Sequence, residues 1–242
     1  MQTKRGRALL GAAAAVTLAA ACGRVLASDE HAVSPRQAAK RADFARERAT
    51  REIREFADWV VDSADHKGLP FVIIDKPNAR VFVFEASGRI RGATPALLGI
   101  AQGDHSVPGI GERELSDMPP QDRTTPAGRF VSGIGMNFRG EDVLWVDHES
   151  GLSLHRVLTT KPEERRLERL ATPTPKDNRI SYGCINVPKK FYEKIVAPTF
   201  SGTDGIVYIL PERGSARELF GTYFVGEPGF HAVSTSSAKT PK

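Results

Sequence analysis

The stretches FVIID (71–75) and RVFVFEA (80–86) are short apolar runs on either side of the polar stretch KPNA (76–79). Runs of this length that are rich in valine, isoleucine and phenylalanine are typical of β-strands. Proline and asparagine between two such runs are typical of a turn. The segment 71–86 therefore predicts two consecutive strands joined by a turn.

Further short strands are predicted on the C-terminal side of this pair, where glycine and proline interrupt the chain at close intervals. The strand-like segments cover residues 126–135, 142–148, 151–158 and 205–211. Between them the sequence predicts a polar loop at 104–123 and short helices at 162–171 and 187–196. The C-terminal extension, residues 213–242, is predicted to be partly disordered. Many short strands with frequent turns favour a mainly β fold, a sandwich or barrel of antiparallel or mixed strands.

Residues 34–67 precede the strands and predict one amphipathic helix. Ser34 is suited to cap the first turn, Pro35 to occupy the first helical position, and Gln37 to return the capping bond. Apolar residues then recur three or four positions apart, the period of one helix face; they are Phe44, Ile53, Phe56, Trp59, Val60 and Ala64. This helix is expected either to pack on the β-rich domain or to lead away from a membrane.

The N-terminal segment, residues 1–27, has the features of a secretory signal. A basic start precedes an uncharged run at 8–22, which is shorter than the about 20 apolar residues of a membrane-spanning helix. Cleavage before Ser28 is favoured, and cleavage before Cys22 with lipidation of that cysteine is the alternative. We therefore expect an exported protein of the periplasm or cell envelope, bound to a membrane only if Cys22 is lipidated.

The charge of the chain changes with this cleavage. The whole chain carries 34 basic and 29 acidic residues, a formal net charge of +5. Residues 1–27 hold Lys4, Arg5, Arg7 and Arg24 and no acidic residue, so 30 basic and 29 acidic residues remain, a net charge of +1. The basic isoelectric point is therefore largely a property of the signal and does not indicate a nucleic-acid partner.

Cys184 is the only thiol left to the folded domain after either cleavage, and it lies in the stretch RISYGCINV (179–187). Cysteines of exported proteins are normally paired, so a single thiol is buried and inert, bonded to another molecule, or reactive. Gly183 lets the backbone approach a substrate closely, and the amides of Gly183 and Cys184 could face a carbonyl oxygen. Ser181 and Asn186 are suited to brace such a turn through side-chain hydrogen bonds to the backbone.

A nucleophilic cysteine needs a base, and two histidines lie on predicted strands. His155 lies among apolar residues in LSLHRVL and is either a structural side chain or the base. His148 lies between Asp147 and Glu149, but neighbouring residues of a strand point to opposite faces and do not form a ligand set. HExxH and paired CxxC motifs are absent from the sequence, so no metal site is expected.

Three segments in this order resemble the L,D-transpeptidase catalytic domain: TTPAGRF (124–130), the strand with His155, and ISYGCINV (180–187). The resemblance extends over roughly residues 70–211. It implies that the domain predicted at 69–212 has the β-rich fold of that family, a sandwich or barrel of mixed strands with short helices.

The resemblance also implies roles for individual residues. Cys184 matches the family's nucleophile, His155 matches the histidine that activates it, and the backbone carbonyl of Arg156 matches the group that orients the histidine. The supporting positions around the thiol are Ser181, Tyr182, Gly183 and Asn186. The family uses no metal and no organic cofactor, and we expect none here.

The implied substrate is the stem tetrapeptide of peptidoglycan. The thiolate attacks the carbonyl of the third residue, D-alanine is released, and an amine of a neighbouring stem takes the acyl group in a 3→3 cross-link. A carbapenem is expected to form an adduct at Cys184. The alternative is an L,D-carboxypeptidase or another peptidoglycan hydrolase on the same scaffold, and a less favoured one is a wall-binding protein without activity.

Two features depart from the family pattern. Tyr182 stands where the family usually has a histidine before the glycine, and a tyrosine hydroxyl does not act as a base near neutral pH. His155 and Cys184 are 29 residues apart, more than the usual spacing, because a charged insert lies at 160–178.

The insert at 160–178 has two interpretations. It is either a solvated surface loop or a lid over the site that offers arginines to the carboxylates of a stem peptide. The arginines in question are Arg165, Arg166 and Arg169.

Overall fold

The computed structural model describes residues 38–226. The predicted signal with Cys22, the predicted helix start at Ser34 and the tail after residue 226 lie outside this part of the chain. Within residues 38–226, no helix is both long enough and apolar enough to cross a membrane.

The fold is mainly β, as the sequence predicted. The strands within residues 38–226 are β1 (Phe71–Asp75), β2 (Arg80–Phe84), β3 (Ile90–Pro95), β4 (Leu98–Gly99), β5 (Gly128–Met136), β6 (Asp142–Asp147), β7 (Leu152–Arg156), β8 (Arg179–Ser181), β9 (Ile185–Val187) and β10 (Gly205–Ile209). Eight of them form one mixed, nearly closed sheet in the order β3-β2-β1-β10-β5-β6-β7-β9, and β4 pairs with β8 separately. The β1–β10 and β7–β9 pairs are parallel, and the other neighbours in the large sheet are antiparallel.

The segment between β3 and β4 links the two ends of the large sheet. Leu97 exchanges backbone hydrogen bonds with Asn186 of β9, at 2.8 and 2.9 Å. The amide of Ala96 donates to the carbonyl of Ala79, just before β2, at 2.8 Å. The edge strand β9 is therefore tied to the β1–β2 hairpin, and the turn before β9 is held at the closure of the sheet.

Strands β1, β2 and β10 are buried on both faces, which accounts for their nearly continuous apolar sequences. Alternate side chains of a strand point to opposite faces of the sheet. One set packs with β6, β7 and β9 and comprises Val72, Ile74, Val81, Val83, Val207 and Ile209. The other set packs with the N-terminal helix and comprises Phe71, Ile73, Phe82, Phe84, Ile206 and Tyr208.

Short helices cover both faces of these strands. Those within residues 38–226 are α1 (Arg51–Asp62), α2 (Arg166–Ala171), α3 (Lys189–Phe191), α4 (Ala197–Phe200) and α5 (Ala216–Phe220). A π-helical turn at Tyr192–Val196 joins α3 to α4, and Tyr192, Val196 and Phe200 pack into the first set of strand residues. The loop predicted at 104–123 contains three short 3₁₀ turns and no strand.

The helix predicted at 34–67 is wrong in extent, since α1 begins at Arg51 and ends at Asp62. The Thr50 hydroxyl accepts a hydrogen bond from the Ile53 amide at 3.3 Å and caps the first turn. Threonine is a favoured cap, and this internal cap, rather than the Ser-Pro pair predicted as the start, begins the helix.

Phe44 shows why the apolar period overestimated the helix. Its spacing fits a helix face, but its ring packs edge-on against Phe82 and Phe84 with centroids 6.2 and 5.2 Å away. The following Ala45 has a left-handed backbone with φ of 46°, and its amide bonds the Asp43 carboxylate at 2.8 Å. A contact with the sheet therefore holds Phe44 in a non-helical segment.

The first part of the predicted extension at 213–242 is folded against α1. Ser215 and Glu218 form a capping box at the start of α5. The Phe220 ring lies 5.0 Å from the Phe56 ring of α1, centroid to centroid. The extension therefore adds to the aromatic cluster between α1 and the sheet.

Candidate active site

Strand pairing brings His155 and Cys184 together although 29 residues separate them in the sequence. Strands β7 and β9 are parallel, with Leu154 paired to Ile185 and His155 paired to Asn186. Cys184 directly precedes β9, which places its thiol near the His155 imidazole of β7, close enough for each group to shift the pKa of the other. The Cys184 side chain is partly exposed, so the pair is open to a substrate.

The orientation of His155 is set by its own strand. Nδ1 lies 2.7 Å from the backbone carbonyl oxygen of Arg156, which can only accept, so Nδ1 carries a proton and donates. Nε2 is left on the side of Cys184 and lies 3.5 Å from Nδ2 of Asn186. The Arg156 carbonyl thus occupies the place that the sequence resemblance implied for it.

The Cys184 thiol has a lowered pKa. Burial is the largest influence and acts to raise the pKa, but the hydrogen bond and positive charge of His155 together with hydrogen bonds from Ser153 outweigh it. The Ser153 hydroxyl lies 3.7 Å from Sγ, and Sγ lies 3.5 Å from the carbonyl oxygen of Gly151. The surroundings therefore favour the thiolate, which is the reactive form of cysteine.

The imidazole of His155 shows the reciprocal shift, a raised pKa. Burial acts to lower it, but the hydrogen bond to Cys184, the thiolate charge and the Arg156 carbonyl raise it, while the charge of Arg166 acts downward. A lowered pKa on the thiol and a raised one on the imidazole together favour a thiolate–imidazolium pair.

The turn that presents Cys184 is braced by the two side chains predicted for this purpose. Ser181 Oγ accepts from the Gly183 amide at 3.1 Å and donates to the Cys184 carbonyl at 2.6 Å. Asn186 Nδ2 donates to the same carbonyl at 3.2 Å. Gly183 has φ of 128°, and a Cβ there would lie 2.8 Å from the carbonyl oxygen of Thr124, so a side chain does not fit.

One expectation about this turn is wrong. The amides of both Gly183 and Cys184 were expected to face a substrate carbonyl, but the Gly183 amide is buried and bonded to Ser181. The backbone conformation of Gly183 turns this amide inward. The Cys184 amide has no hydrogen-bond partner within residues 38–226, which leaves it available to a substrate oxygen.

Thr125 supports the turn from below, and the sequence analysis assigned it no role. Its side chain is fully buried, donates to the Gly183 carbonyl at 2.6 Å and accepts from the Gly99 amide at 2.9 Å. Its own carbonyl accepts from Nζ of the buried Lys76 at 2.9 Å, and Lys76 is paired with Asp104 at 2.6 Å. Thr125 lies in the quoted segment 124–130, but its contacts are 26 and 58 residues away.

The insert at 160–178 contacts the site through one arginine. Arg166 is 9% exposed; Nη1 donates to Asn186 Oδ1 at 2.7 Å, and Nε pairs with Glu164 at 2.5 Å. Because Asn186 Oδ1 is held by this donor, its Nδ2 is directed toward the Cys184 carbonyl. The insert is therefore packed on the turn rather than separate from it.

The other arginines of the insert bind within it. Arg169 donates to the backbone carbonyls of Glu164 and Asp177 at 2.8 and 2.7 Å, and the exposed Arg165 pairs with Glu168. In this arrangement the three arginines predicted as carboxylate ligands of a lid are used for contacts inside the protein.

Tyr182 lies under a cation. The guanidinium carbon of Arg123 is 3.9 Å from the centroid of its ring.

The side chain of Arg156 has a structural role. It pairs with Asp142 at 3.0 Å and lies 4.2 Å from the ring centroid of Tyr192.

The remaining polar candidates do not join this group. His148 packs against Trp145, with ring centroids 4.7 Å apart. In the part of the chain that the structure describes, no three His, Cys, Asp or Glu side chains are placed to hold a metal ion together. His31 and His231 lie outside that part.

Comparison with known proteins gives matches to solved structures alone. No protein-family model and no curated protein matches the chain. The helical cell shape determining protein Pgp2 from Campylobacter jejuni matches at 18% identity and a TM-score of 0.40, over 61% of this chain and 49% of Pgp2. The L,D-transpeptidase catalytic domain from E. faecium matches at 16% identity and a TM-score of 0.33, over 58% of this chain and 95% of that domain.

A third structure, the Ldtfm–avibactam carbamoyl enzyme, matches at 16% identity and a TM-score of 0.33, over 60% of this chain and 49% of that one. The chain spans about half the length of Pgp2, 49% of it. The chemistry of the site has to be inferred from its own geometry.

Proposed function

We propose that this protein is an exported cysteine acyltransferase, an L,D-transpeptidase, that acts on the stem tetrapeptides of peptidoglycan. The observation that carries the proposal is the pair of Cys184 and His155, which the pairing of β7 with β9 brings together and in which Nδ1 of the imidazole donates to the Arg156 carbonyl. A nucleophile, a base and a group that orients the base are the components of covalent acyl transfer.

In the first half-reaction, the Cys184 thiolate attacks the carbonyl of the third stem residue. Negative charge develops on the carbonyl oxygen, and the Cys184 amide donates to it. The carbon–nitrogen bond to D-alanine then breaks, and the departing amine takes the proton from the imidazolium of His155. The products of this half-reaction are free D-alanine and a thioester on Cys184.

In the second half-reaction, an amine of a neighbouring stem attacks the thioester carbonyl. His155 accepts the proton of that amine, the carbon–sulfur bond breaks, and the thiolate is regenerated beside an imidazolium. The net change is the exchange of one amide bond for another, a 3→3 cross-link. This direction of proton movement uses the same imidazole as base and acid in turn.

The peptidoglycan substrate is supported by the order of TTPAGRF, the His155 strand and ISYGCINV, which resembles the L,D-transpeptidase motif. Export to the periplasm or cell envelope, with a membrane link only through a lipidated Cys22, belongs to the same proposal. It rests on the signal-like segment at 1–27.

A hydrolase, in which water resolves the thioester, is the second candidate. The observation that favours it is Tyr182, whose phenol lies beneath Arg123 in the position of the family's second histidine. With a tyrosine there, His155 is left as the single imidazole for activating an acceptor amine, and water competes with that amine more easily.

The test is incubation of the purified protein with tetrapeptide-bearing muropeptides, followed by mass spectrometry. Cross-linked dimers establish the transpeptidase, whereas tripeptides without dimers establish the carboxypeptidase. A carbapenem adduct on Cys184 reports the acyl-enzyme directly. The Cys184→Ala variant is the control and should show neither turnover nor adduct; absence of both from the wild-type protein would refute both candidates.

A further inference from the structure

Arg123 is a fixed cation beside the nucleophile turn. Its Nε donates to the Met118 carbonyl at 2.7 Å, and its guanidinium stacks on the Tyr182 ring at 3.9 Å. Its backbone carbonyl accepts from the Ala101 amide at 3.1 Å and lies so close to Gly99 that a Cβ there would approach it to 2.2 Å. Both the backbone and the side chain of Arg123 are thus held in one place.

This cation has no acidic partner within residues 38–226. The neighbouring Asp122 carboxylate is paired with Arg113 at 3.0 Å. Nη1 and Nη2 of Arg123 make no hydrogen bond in the described part of the chain, although the side chain is half-buried. Other half-buried arginines, Arg129 and Arg179 among them, are paired with carboxylates.

The position of Arg123 relates it to the thiol. Tyr182, on which it stacks, is two residues before Cys184 in the same turn. Thr124, the residue after Arg123, contacts the turn so closely that Gly183 has no room for a side chain. The segment Arg123–Thr124 therefore lies against Tyr182–Gly183.

We propose that Nη1 and Nη2 of Arg123, with Tyr182 as the platform beneath the guanidinium, bind the terminal carboxylate of the donor peptide. The inference rests on the proposed function and specifies how that site recognises its substrate. The two free amino groups of a guanidinium match the two oxygens of a carboxylate. In the proposed reaction, the residue that leaves has such a carboxylate one residue beyond the scissile carbonyl.

This assignment accounts for two features together. An enzyme that removes a terminal residue must distinguish a chain end from a chain interior, and an unpaired cation on the turn that carries Cys184 can make that distinction. It also gives Tyr182 a function at the position where an imidazole would add a titrating charge beside Arg123. The aromatic ring holds the guanidinium without neutralising it.

The experiment compares two tetrapeptide donors, one with a free terminal carboxylate and one with that carboxylate amidated. For the wild-type protein we expect kcat/KM for release of the terminal residue to be about 10- to 100-fold higher for the free acid, mainly through KM. In Arg123→Gln the preference should fall to nearly one, because the free acid loses rate while the amide does not. Arg123→Lys should retain part of the preference, since it keeps the charge without the two-pronged geometry.

The matched control is Arg139→Gln, which removes an equal charge from an exposed arginine that contacts the Phe138 ring and should leave the preference unchanged. Alkylation of Cys184 by iodoacetamide, a neutral reagent, monitors the thiol and should be the same in Arg123→Gln as in the wild type. Tyr182→Phe keeps the ring and should keep the preference, whereas Tyr182→Ala should weaken it. A preference that survives Arg123→Gln, or an equal loss for both donors at normal alkylation, would overturn the assignment.

A binding measurement separates this inference from the proposed function. In Cys184→Ala, which cannot form a thioester, calorimetry with the same two donors should show tighter binding of the free acid, and Arg123→Gln in that background should abolish the difference. Equal binding of both donors overturns the carboxylate site. Failure of the wild-type protein to turn over either donor, with the binding difference intact, overturns the proposed reaction instead.

Discussion

The sheet face that packs on α1 and the turn that carries Cys184 differ in what holds their buried groups. On the sheet face, Phe71 stacks on Phe84 with ring centroids 4.7 Å apart, and neighbouring rings meet edge to face. In the turn, the Gly183 amide and carbonyl are each met by a specific partner, the Ser181 and Thr125 hydroxyls. Packing depends on volume and tolerates substitutions of equal size, whereas a buried hydrogen bond depends on one partner and is lost with it.

The His155→Gln variant tests the turn side of this comparison with the largest expected effect. Removing the base should lower the acylation rate of Cys184 by about 10²- to 10⁴-fold, the usual contribution of general acid–base catalysis. The free energy of unfolding should change far less, since glutamine can still donate to the Arg156 carbonyl. Acylation by a carbapenem, followed by mass spectrometry, provides the rate.

The same variant should shift the pH dependence of alkylation by iodoacetamide. The pKa of Cys184 is lowered in the wild type. The thiolate is therefore present at pH values below about 8.5, the ordinary pKa of a cysteine, and is lost as the pH falls through the pKa in the folded protein. The pKa of His155 is raised, so the imidazolium is present at pH values above about 6.5, the ordinary pKa of a histidine. His155→Gln should therefore move half-maximal alkylation to higher pH; an unchanged profile would mean that the imidazole does not stabilise the thiolate.

The Phe71→Ala variant tests the packed face. Phe71 is fully buried, and truncation of such a ring should lower the free energy of unfolding by about 3–5 kcal/mol. Urea unfolding measures the loss, and the pH profile of Cys184 alkylation in the folded protein should not change. Phe138→Ala, at an 86% exposed position, is the control and should change stability by less than about 0.5 kcal/mol.

The Thr125→Val variant keeps volume but removes the hydroxyl beneath the turn. The Gly183 carbonyl and the Gly99 amide then lose their partner in a buried site, at a cost of about 1–3 kcal/mol. Thr124→Val makes the same chemical change one residue away, where the hydroxyl has no hydrogen bond within residues 38–226, and should be close to neutral. Equal stability of the two variants, measured by urea unfolding, would show that the turn does not depend on this bond.

The Arg166→Gln variant should have the smallest effect of the four, about a tenfold lower acylation rate, because the side chain acts through Asn186. Loss of its positive charge should raise the pKa of His155 further, since that charge acts downward in the wild type. The alkaline limb of the acylation profile should then move to higher pH. Arg165→Gln, an exposed neighbour paired with Glu168, should leave both rate and profile unchanged.

The sequence by itself determined the strands and indicated the proposed catalytic pair. Apolar runs such as 71–75 and 205–211 identify strands because both faces of β1 and β10 are buried, so the signal is local and continuous. The lone thiol after Gly183 and the motif order around it indicated Cys184, His155 and the Arg156 carbonyl. The apolar period failed at Phe44, where packing against the sheet overrode local helix spacing.

Only the tertiary structure decided how the turn that carries Cys184 is supported. The bonds from Thr125 to Gly183, from Arg166 to Asn186 and from the Arg123 guanidinium to the Tyr182 ring join residues 58, 20 and 59 positions apart. Hydroxyl, guanidinium and amide groups have no period that marks them as buried, and their partners depend on how the sheet closes at Leu97 and Asn186. Local patterns identify elements with apolar faces, whereas the hydrogen-bond partners of buried polar side chains depend on the fold that those elements form.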